Sequence, residues 1–259
     1  MAEAEDRWIA QLGTVGGQSK TTLVCFPYAG GTHDIFRPWA QLLPAEIELL
    51  AVRLPGRSTR ISERAHTEWP SLIEDVTTAI TPYLDGRYAF FGHSFGARLA
   101  YEVLHALAVR GVHSADRLFV SGSRSPRTPQ RLPFMHTLDE DEFREALRLL
   151  GGTPPELLAN KVLMDVLSPT VRRDIALAEQ WGDRHAGIAL DTPITAFYGR
   201  DDSIDSLRAT QGWREHTTDE LETVEISGGH FFLNTHRTDV LAMITKRLET
   251  ASAHGIDVP

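Results

Sequence analysis

The chain has 259 residues, of which 42% are hydrophobic, enough for one domain with an insertion to bury a large core. Its 26 basic and 35 acidic residues give a net charge of −9, which disfavours nucleic acid as a partner because the phosphate backbone binds positive surfaces. No run of 18 apolar residues occurs, and the acidic first six residues lack an apolar signal segment. We therefore expect a soluble, cytoplasmic protein that makes no membrane contact.

Cysteine and histidine usage gives no sign of a metal centre. The single cysteine, Cys25, lies in an apolar run and is predicted to be a small buried side chain, and no disulfide can form within the chain. The eleven histidines show no spacing typical of metal ligands. We expect neither a metal ion nor another cofactor.

Apolar runs that are typical of buried strands alternate with segments of helical periodicity. This alternation predicts an α/β protein with a mostly parallel sheet flanked by helices on both faces. The predicted strands cover residues 23–26, 49–52, 88–91, 118–121, 194–198 and 221–226. The predicted helices cover residues 36–43, 72–84, 97–110, 207–216 and 239–248. We interpret residues 1–259 as a single domain.

Between residues 133 and 181 the alternation stops and only helical pattern remains. Thr137 and Glu140 offer a capping box for a helix over residues 139–150, and Pro169 is predicted to lie at the start of a later helix. We interpret this segment as a helical insertion that covers the active site as a lid. A purely structural appendage is the alternative.

Residues 92–96, Gly-His-Ser-Phe-Gly, fit the Gly-x-Ser-x-Gly pattern, which places a nucleophilic serine on a sharp turn between a strand and a helix. The pattern stands between a predicted strand and a predicted helix, as this turn requires. Gly92 and Gly96 are expected to leave the room that a strained turn at Ser94 needs. We predict that Ser94 is the nucleophile of a serine hydrolase, with an ordinary tight turn as the alternative.

A serine hydroxyl becomes a good nucleophile when an imidazole takes its proton and a carboxylate orients that imidazole. In hydrolases with this turn, the acid follows a late strand and the histidine follows the next one. Asp201 and Asp202 follow the first of the two last predicted strands, and His230 follows the second. We predict His230 as the base and Asp202 as the acid, since the acid usually stands three residues after the glycine. Asp201 and Asp205 are then turn or capping residues.

The tetrahedral oxyanion of such a reaction needs two backbone donors. One belongs to the residue after the nucleophile, and the other to the loop after the first strong strand. The first is the amide of Phe95. The second is the amide of Tyr28 or Ala29, because Pro27 has no N–H, and we select Ala29.

Seven spaced motifs occur in order along the chain: CFPYAGG at 25–31, LPGRSTR at 54–60, GHSFGA at 92–97, AYEV at 100–103, GGTP at 151–154, VRRD at 171–174 and GGHFF at 228–232. Together they resemble the type II thioesterases of polyketide and nonribosomal peptide synthesis, which have the α/β-hydrolase fold. The resemblance extends over about residues 23–248. Phe95 and Trp181 stand where this family often has methionine and tyrosine, and we expect both to alter the acyl pocket.

In such enzymes the serine attacks a thioester that joins an acyl group to the phosphopantetheine arm of an acyl or peptidyl carrier protein, and water then releases the acid. The resemblance implies an editing thioesterase that removes misprimed or stalled acyl groups. From the leucine-rich pattern of the insertion itself, we predict that some of its leucines line an acyl channel over Ser94; the candidates are Leu147, Leu149, Leu150, Leu157, Leu158 and Leu163. Residue chemistry alone reaches only a serine hydrolase with a lid. A small-molecule carboxylesterase, a chain-releasing thioesterase and a catalytically silent carrier-binding protein are the alternatives. We expect a monomer.

Two groups of arginines are candidates for contact with a partner or substrate. Arg124, Arg127 and Arg131 lie in a loop-like segment without acidic residues. Since carrier proteins of the resembled systems are usually acidic, we predict that these three arginines form a docking patch, with a solvated loop as the alternative. Arg57 and Arg60 belong to one of the resembled motifs. A structural salt bridge and a contact with substrate phosphate are equally open for them.

Overall fold

The computed structural model describes residues 6–13, 21–130 and 134–254, with only the backbone for residues 251–254. The strands of this part of the chain are β1 (Ile9–Gln11), β2 (Thr21–Phe26), β3 (Ile47–Val52), β4 (Tyr88–His93), β5 (Arg117–Ser121), β6 (Ile194–Gly199) and β7 (Leu221–Ile226). They form one sheet in the order β1-β3-β2-β4-β5-β6-β7. β1 is antiparallel to β3, and the other pairs are parallel. The predicted α/β class and mostly parallel sheet are confirmed.

Helices cover both faces of this sheet. The α-helices of the described residues are α1 (Trp69–Ile80), α2 (Phe95–Val109), α3 (Glu140–Leu150), α4 (Pro155–Ala159), α5 (Lys161–Gln180), α6 (Leu207–Gln211), α7 (Phe232–Thr235) and α8 (Arg237–His254). Short 3-10 helices cover His33–Gln41, Ser58–Arg60, Thr81–Tyr83, Met135–Thr137 and Gly212–His216.

The sheet separates two hydrophobic cores, because successive side chains of a strand point to opposite faces. In β2, Val24 packs into the core beneath α1 and α2, whereas Leu23 and Cys25 pack into the core beneath α8. Cys25 is fully buried, as predicted. Strands that are buried on both faces have continuous apolar sequences rather than alternating ones, and for this reason the central strands could be recognised.

Two predicted helices differ from the structure, and one strand was missed. The helix predicted over residues 36–43 is a 3-10 helix that contains Pro38, and the helix predicted over residues 207–216 divides into α6 and a 3-10 turn. β1 was not predicted. It has only three residues, which is too short to show a period of two.

Between β5 and β6 the described chain forms α3, α4 and α5, and we call residues 134–181 the lid. Pro133, the first residue of the predicted insertion, lies outside the described residues. The lid helices pack around a small core of their own, which is separate from both cores of the sheet. Its buried residues are Phe143, Leu147, Leu158, Met164 and Ile175.

Two details predicted inside the lid were wrong. The capping box of α3 uses Asp139 and Glu142 instead of Thr137 and Glu140: the Asp139 carboxylate accepts from the Glu142 amide, and the Glu142 side chain accepts from the Asp139 amide. Pro169 lies in the interior of α5 rather than at its start. Helix packing within the lid and against the sheet outweighs the loss of one backbone donor at this proline.

We expect Asp139→Ala to lower the stability of α3 by about 0.5–2 kcal/mol, because it removes the acceptor of the Glu142 amide. Thr137→Ala is the matched control, since the Thr137 hydroxyl donates to the carbonyl of Phe134, outside this helix. Amide hydrogen exchange in the first turn of α3 measures the difference. It should accelerate in Asp139→Ala only, and equal exchange in both variants would contradict the assigned cap.

Candidate active site

A cleft opens at the carboxyl ends of β2 and β4, because the chain runs from β2 to β3 on one side and from β4 to β5 on the other. Phe26, the last residue of β2, pairs with Gly92 of β4. His93 of β4 pairs with Ser121 of β5. The loops that follow these strands therefore begin side by side at one edge of the sheet.

Ser94 lies on the sharp turn between β4 and α2, with φ 53° and ψ −115°. Few residues that carry a side chain adopt this backbone conformation. A Cβ atom on Gly92 would overlap the carbonyl of Gly96, and a Cβ atom on Gly96 would overlap the carbonyl of Phe26. The two glycines thus allow α2 to begin directly against the end of β2, and the predicted strand–turn–helix arrangement around Ser94 is confirmed.

Asp202 and His230 lie in the loops after the neighbouring strands β6 and β7. Asp202 Oδ2 is 2.8 Å from His230 Nδ1, and both side chains are buried. Asp202 Oδ1 accepts hydrogen bonds from the amides of Ile204, at 2.8 Å, and Asp205, at 3.1 Å. Asp201 is exposed to solvent. Of the two adjacent aspartates, the structure therefore pairs Asp202 with His230.

Burial alone would raise the pKa of Asp202. The hydrogen bond to His230, the positive charge that His230 carries when protonated, and the hydrogen bonds from the two backbone amides lower the pKa by more than burial raises it. The pKa of Asp202 therefore lies below its ordinary value of 3.8. An ionised carboxylate only accepts hydrogen bonds, so the proton between the two side chains belongs to His230 Nδ1. This tautomer leaves Nε2 of His230 free to accept a proton.

Ser94 and His230 line one cavity of about 300 Å³ beneath the lid. Within the described residues the Ser94 hydroxyl makes no hydrogen bond to His230. Such contacts often tighten only when substrate is bound. The lid contributes an apolar wall of ten side chains: Met135, Leu147, Leu150, Pro154, Leu157, Met164, Leu167, Val171, Ile175 and Ala178.

Only some of the leucines in the lid line this cavity. Leu150 and Leu157 line the cavity, and Leu147 both lines it and packs in the lid core. Leu149 is 72% exposed and Leu163 is 46% exposed, so these two do not contribute to the wall. The prediction that some leucines of the insertion line a channel over Ser94 agrees with the cavity.

The loop after β2 lies at the cavity beside Ser94. The amide of Gly30 donates to Asp174 Oδ2 at 2.8 Å, and the amide of Gly31 donates to the carbonyl of Tyr28 at 2.8 Å. In the described part of the chain, the amides of Tyr28, Ala29 and Phe95 donate to no acceptor. The Phe95 amide is free because the first amides of a helix have no partner within it.

Two polar contacts around the site were not predicted from the sequence. His93 Nδ1 is 2.9 Å from Ser121 Oγ, and burial lowers the pKa of His93 well below its ordinary value, so this imidazole is neutral. Arg98, four residues after Ser94 on α2, forms a buried ion pair with Asp205 at 3.3 Å. Asp205 is therefore not a helix cap. The spacing of four along a helix could have placed Arg98 on the face of Ser94.

Arg57 and Arg60 both form salt bridges, as the first of the two interpretations left open for them predicts, and Arg57 also lines the cavity. Arg57 donates to both carboxylate oxygens of Asp174, at 2.5 and 2.9 Å. Arg60 donates to Glu63 and lies over the Trp8 ring, 3.9 Å from its centroid. Asp174 was not predicted, because its partner lies far away in sequence.

The predicted docking patch of arginines is wrong. Arg124 is only 4% exposed and donates to two main-chain carbonyls. Arg127 forms ion pairs with Asp183 and Glu215, at 2.9 and 3.1 Å. Arg131 lies outside the described residues. The absence of nearby acids in the sequence was misleading, because acids from distant segments neutralise Arg127 in the folded chain.

The two unusual aromatic residues do not shape the cavity. The Phe95 ring packs against Trp69, with the ring centroids 5.6 Å apart, and Trp181 Nε1 donates to Glu102 at 2.7 Å. Both aromatic side chains are buried in the core beneath α1 and α2, and neither lines the cavity. The expectation that these substitutions act on the acyl pocket is wrong.

Two kinds of site are absent from residues 6–13, 21–130 and 134–254. No helix there is long and apolar enough to cross a membrane. No group of three or more His, Cys, Asp or Glu side chains there is arranged to hold a metal ion.

The chain matches the family model of the thioesterase domain over residues 21–248. It is 31% identical over 251 residues to the gramicidin S biosynthesis protein GrsT of Aneurinibacillus migulanus, and the match covers 97% of each chain. Among solved structures, RedJ, a thioesterase from the prodiginine pathway of Streptomyces coelicolor, is similar with a TM-score of 0.83 and 38% identity over 88% of this chain and 91% of RedJ. The type II thioesterase BorB from the borrelidin cluster gives a TM-score of 0.86 and 30% identity over 95% of this chain and 99% of BorB. The chain therefore belongs to the thioesterase family and, within it, to the type II thioesterases of the α/β-hydrolase fold.

Proposed function

We propose that the protein is a serine thioesterase that hydrolyses acyl groups from the phosphopantetheine arm of carrier proteins, and so clears misprimed or stalled polyketide or nonribosomal peptide assembly lines. The observation that carries this proposal is the cavity in which Ser94 and His230, which is hydrogen-bonded to Asp202, face an apolar lid wall. The names of GrsT and BorB, which assign these relatives to gramicidin S biosynthesis and to the borrelidin biosynthetic cluster, support the substrate class.

In the acylation step, Ser94 Oγ attacks the thioester carbonyl while His230 Nε2 takes the hydroxyl proton. The amides of Ala29 and Phe95 donate to the oxyanion that forms on the carbonyl oxygen. When this tetrahedral intermediate collapses, the carbon–sulfur bond breaks and His230 returns the proton to the leaving pantetheine sulfur. Asp202 stabilises the imidazolium form of His230 throughout.

Deacylation repeats these roles with water in place of the serine hydroxyl. His230 Nε2 takes a proton from water, the resulting hydroxide attacks the acyl-serine carbonyl, and the same two amides stabilise the second oxyanion. His230 then protonates Ser94 Oγ as the ester bond breaks. The products are the free carboxylic acid and the regenerated enzyme.

The substrate class is tested by hydrolysis of one acyl group presented as a carrier-protein thioester, a coenzyme A thioester and a simple oxoester. We expect kcat/KM to be highest for the carrier-protein thioester, because the protein carrier adds binding energy that the other two lack. A higher kcat/KM for the oxoester would instead identify a carboxylesterase.

We expect Ser94→Ala to lower turnover by about 10³-fold or more while the fold is retained, because loss of the nucleophile leaves only binding and oxyanion stabilisation. Turnover and labelling by a fluorophosphonate probe measure the effect, and circular dichroism checks the fold. Near wild-type hydrolysis by Ser94→Ala would refute the proposed mechanism.

We expect Asp202→Asn to lower kcat by about 10³–10⁴-fold, because an amide in place of the carboxylate no longer holds the His230 tautomer. Asp201→Asn is the matched control on the neighbouring residue. It should stay within a few-fold of the wild type, since the Asp201 side chain is exposed. The reverse ranking of the two variants would assign the catalytic acid to Asp201.

Leu150→Phe should shift the maximum of kcat/KM towards shorter acyl chains, because Leu150 lines the cavity and a larger side chain shortens it. Each methylene that can no longer be buried is worth about 0.8 kcal/mol, or about fourfold in kcat/KM. Leu149→Phe is the control, since Leu149 is 72% exposed on the same helix. An unchanged chain-length profile in Leu150→Phe would mean that the lid wall does not contact the acyl chain.

A further inference from the structure

Asp174 of the lid helix α5 lies between Arg57 and the loop that follows β2. Its Oδ2 atom accepts from the Gly30 amide at 2.8 Å and from Arg57 Nη1 at 2.5 Å, while Oδ1 accepts from Arg57 Nη2 at 2.9 Å. Asp174 is 3% exposed and Arg57 is 5% exposed. One lid carboxylate therefore binds both a buried guanidinium and the main chain of the loop.

Arg57 holds the same loop from a second point. Its Nη1 atom also donates to the carbonyl of Gly31 at 3.3 Å, and its Nε atom donates to the carbonyl of Pro55 at 3.2 Å. Gly30 has φ +73°, and a Cβ atom there would come within 2.7 Å of Val171 Cγ2 on α5. The loop backbone is thus fixed on one side by a charged pair and on the other by the surface of the lid helix.

The Gly30 amide that Asp174 binds belongs to the peptide group that links Ala29 to Gly30. A peptide group is planar, so fixing its N–H also restricts the rotation of Ala29, whose own amide is free to donate. We propose that Asp174 is a positioning residue that aims the Ala29 amide at the oxyanion, an inference that rests on the proposed function. The seating of the lid helix α5 and the stabilisation of the transition state are thereby coupled.

A purely structural role for the Arg57–Asp174 pair makes a different prediction. A buried ion pair can often be replaced by apolar side chains without loss of stability, whereas removal of one partner leaves an uncompensated charge. If the role is purely structural, the free energy of unfolding should therefore fall when one charge of the pair is removed and be nearly unchanged when both are removed. If Asp174 positions the loop, activity should instead follow the hydrogen bond to the Gly30 amide.

Two double variants separate these effects: Arg57→Met with Asp174→Asn (R57M/D174N), and Arg57→Met with Asp174→Leu (R57M/D174L). Both remove the two charges, but only the asparagine side chain keeps an oxygen that can accept from the Gly30 amide. We expect kcat of R57M/D174L to fall by about 10²-fold relative to the wild type, with KM changed by less than about threefold. R57M/D174N should retain at least about tenfold more kcat than R57M/D174L.

Affinity for a tetrahedral analogue, such as an alkyl boronic acid, provides a second readout that a structural role would not move. It should fall in R57M/D174L by the same factor as kcat/KM, because both depend on the oxyanion donors. Arg172→Met is the control. This variant removes the ion pair between Arg172 of α5 and Glu140, at 3.2 Å, which does not contact the loop after β2. It should leave kcat and the affinity for the analogue unchanged.

Equal kcat values in the two folded double variants would overturn the inference. If R57M/D174L does not fold, Asp174→Glu is measured in its place. This variant keeps the negative charge but displaces the carboxylate by one methylene relative to the Gly30 amide. Its kcat should be lower than that of R57M/D174N. Ser94→Ala, measured in parallel, keeps the two proposals apart. If Ser94→Ala is inactive while R57M/D174L has wild-type kcat, only the inference fails; if Ser94→Ala is active, the proposed function fails.

Discussion

The close approach of α2 to the ends of β2 and β4 is the constraint on which the site depends. It is possible only because Gly92 and Gly96 have no side chains, and it forces Ser94 into its unusual backbone conformation. The same approach brings the free amide of Phe95 beside the loop after β2. Interior packing is too dense to absorb even one extra carbon at such a point without displacing the backbone. The nucleophile, one oxyanion donor and the start of the second donor loop are therefore fixed by a single backbone contact.

The lid is attached to the rest of the molecule by apolar packing of Leu177, Ala178 and Trp181 and by several buried polar contacts. Arg98 donates to the carbonyl of Ala178, Trp181 donates to Glu102, and Asp174 pairs with Arg57. Burying charged groups carries a desolvation penalty that an apolar contact would not, so such contacts contribute more to geometry than to stability. An apolar surface tolerates sliding, whereas a bidentate hydrogen-bonded pair allows one arrangement. The lid is thus seated in one position over the cavity.

The sequence was sufficient for the features that depend on local pattern. Strands buried on both faces are continuous apolar runs, and the turn at Ser94 needs glycines at fixed positions, so both could be predicted. Strand order predicted that His230 pairs with Asp201 or Asp202, and the spacing of three residues from Gly199 selected Asp202. Long-range polar contacts could not be predicted. Asp174 lies far along the chain from Arg57. Arg124 stands in a polar, loop-like sequence that predicts exposure, but in the fold it is buried and donates to main-chain carbonyls. Charged residues show no periodicity that reveals a buried partner.

The two edges of the sheet have a consequence for self-association. A long, flat, apolar edge strand is a template on which another copy can add a strand. β1 covers one edge but has only three residues, which is too short to recruit a partner efficiently. At the other edge, β7 carries Glu222 and Glu225, each held in an ion pair, with Arg247 and Arg200 respectively. Charged side chains along an edge strand disfavour pairing with another chain, so growth of the sheet from molecule to molecule is opposed at both ends.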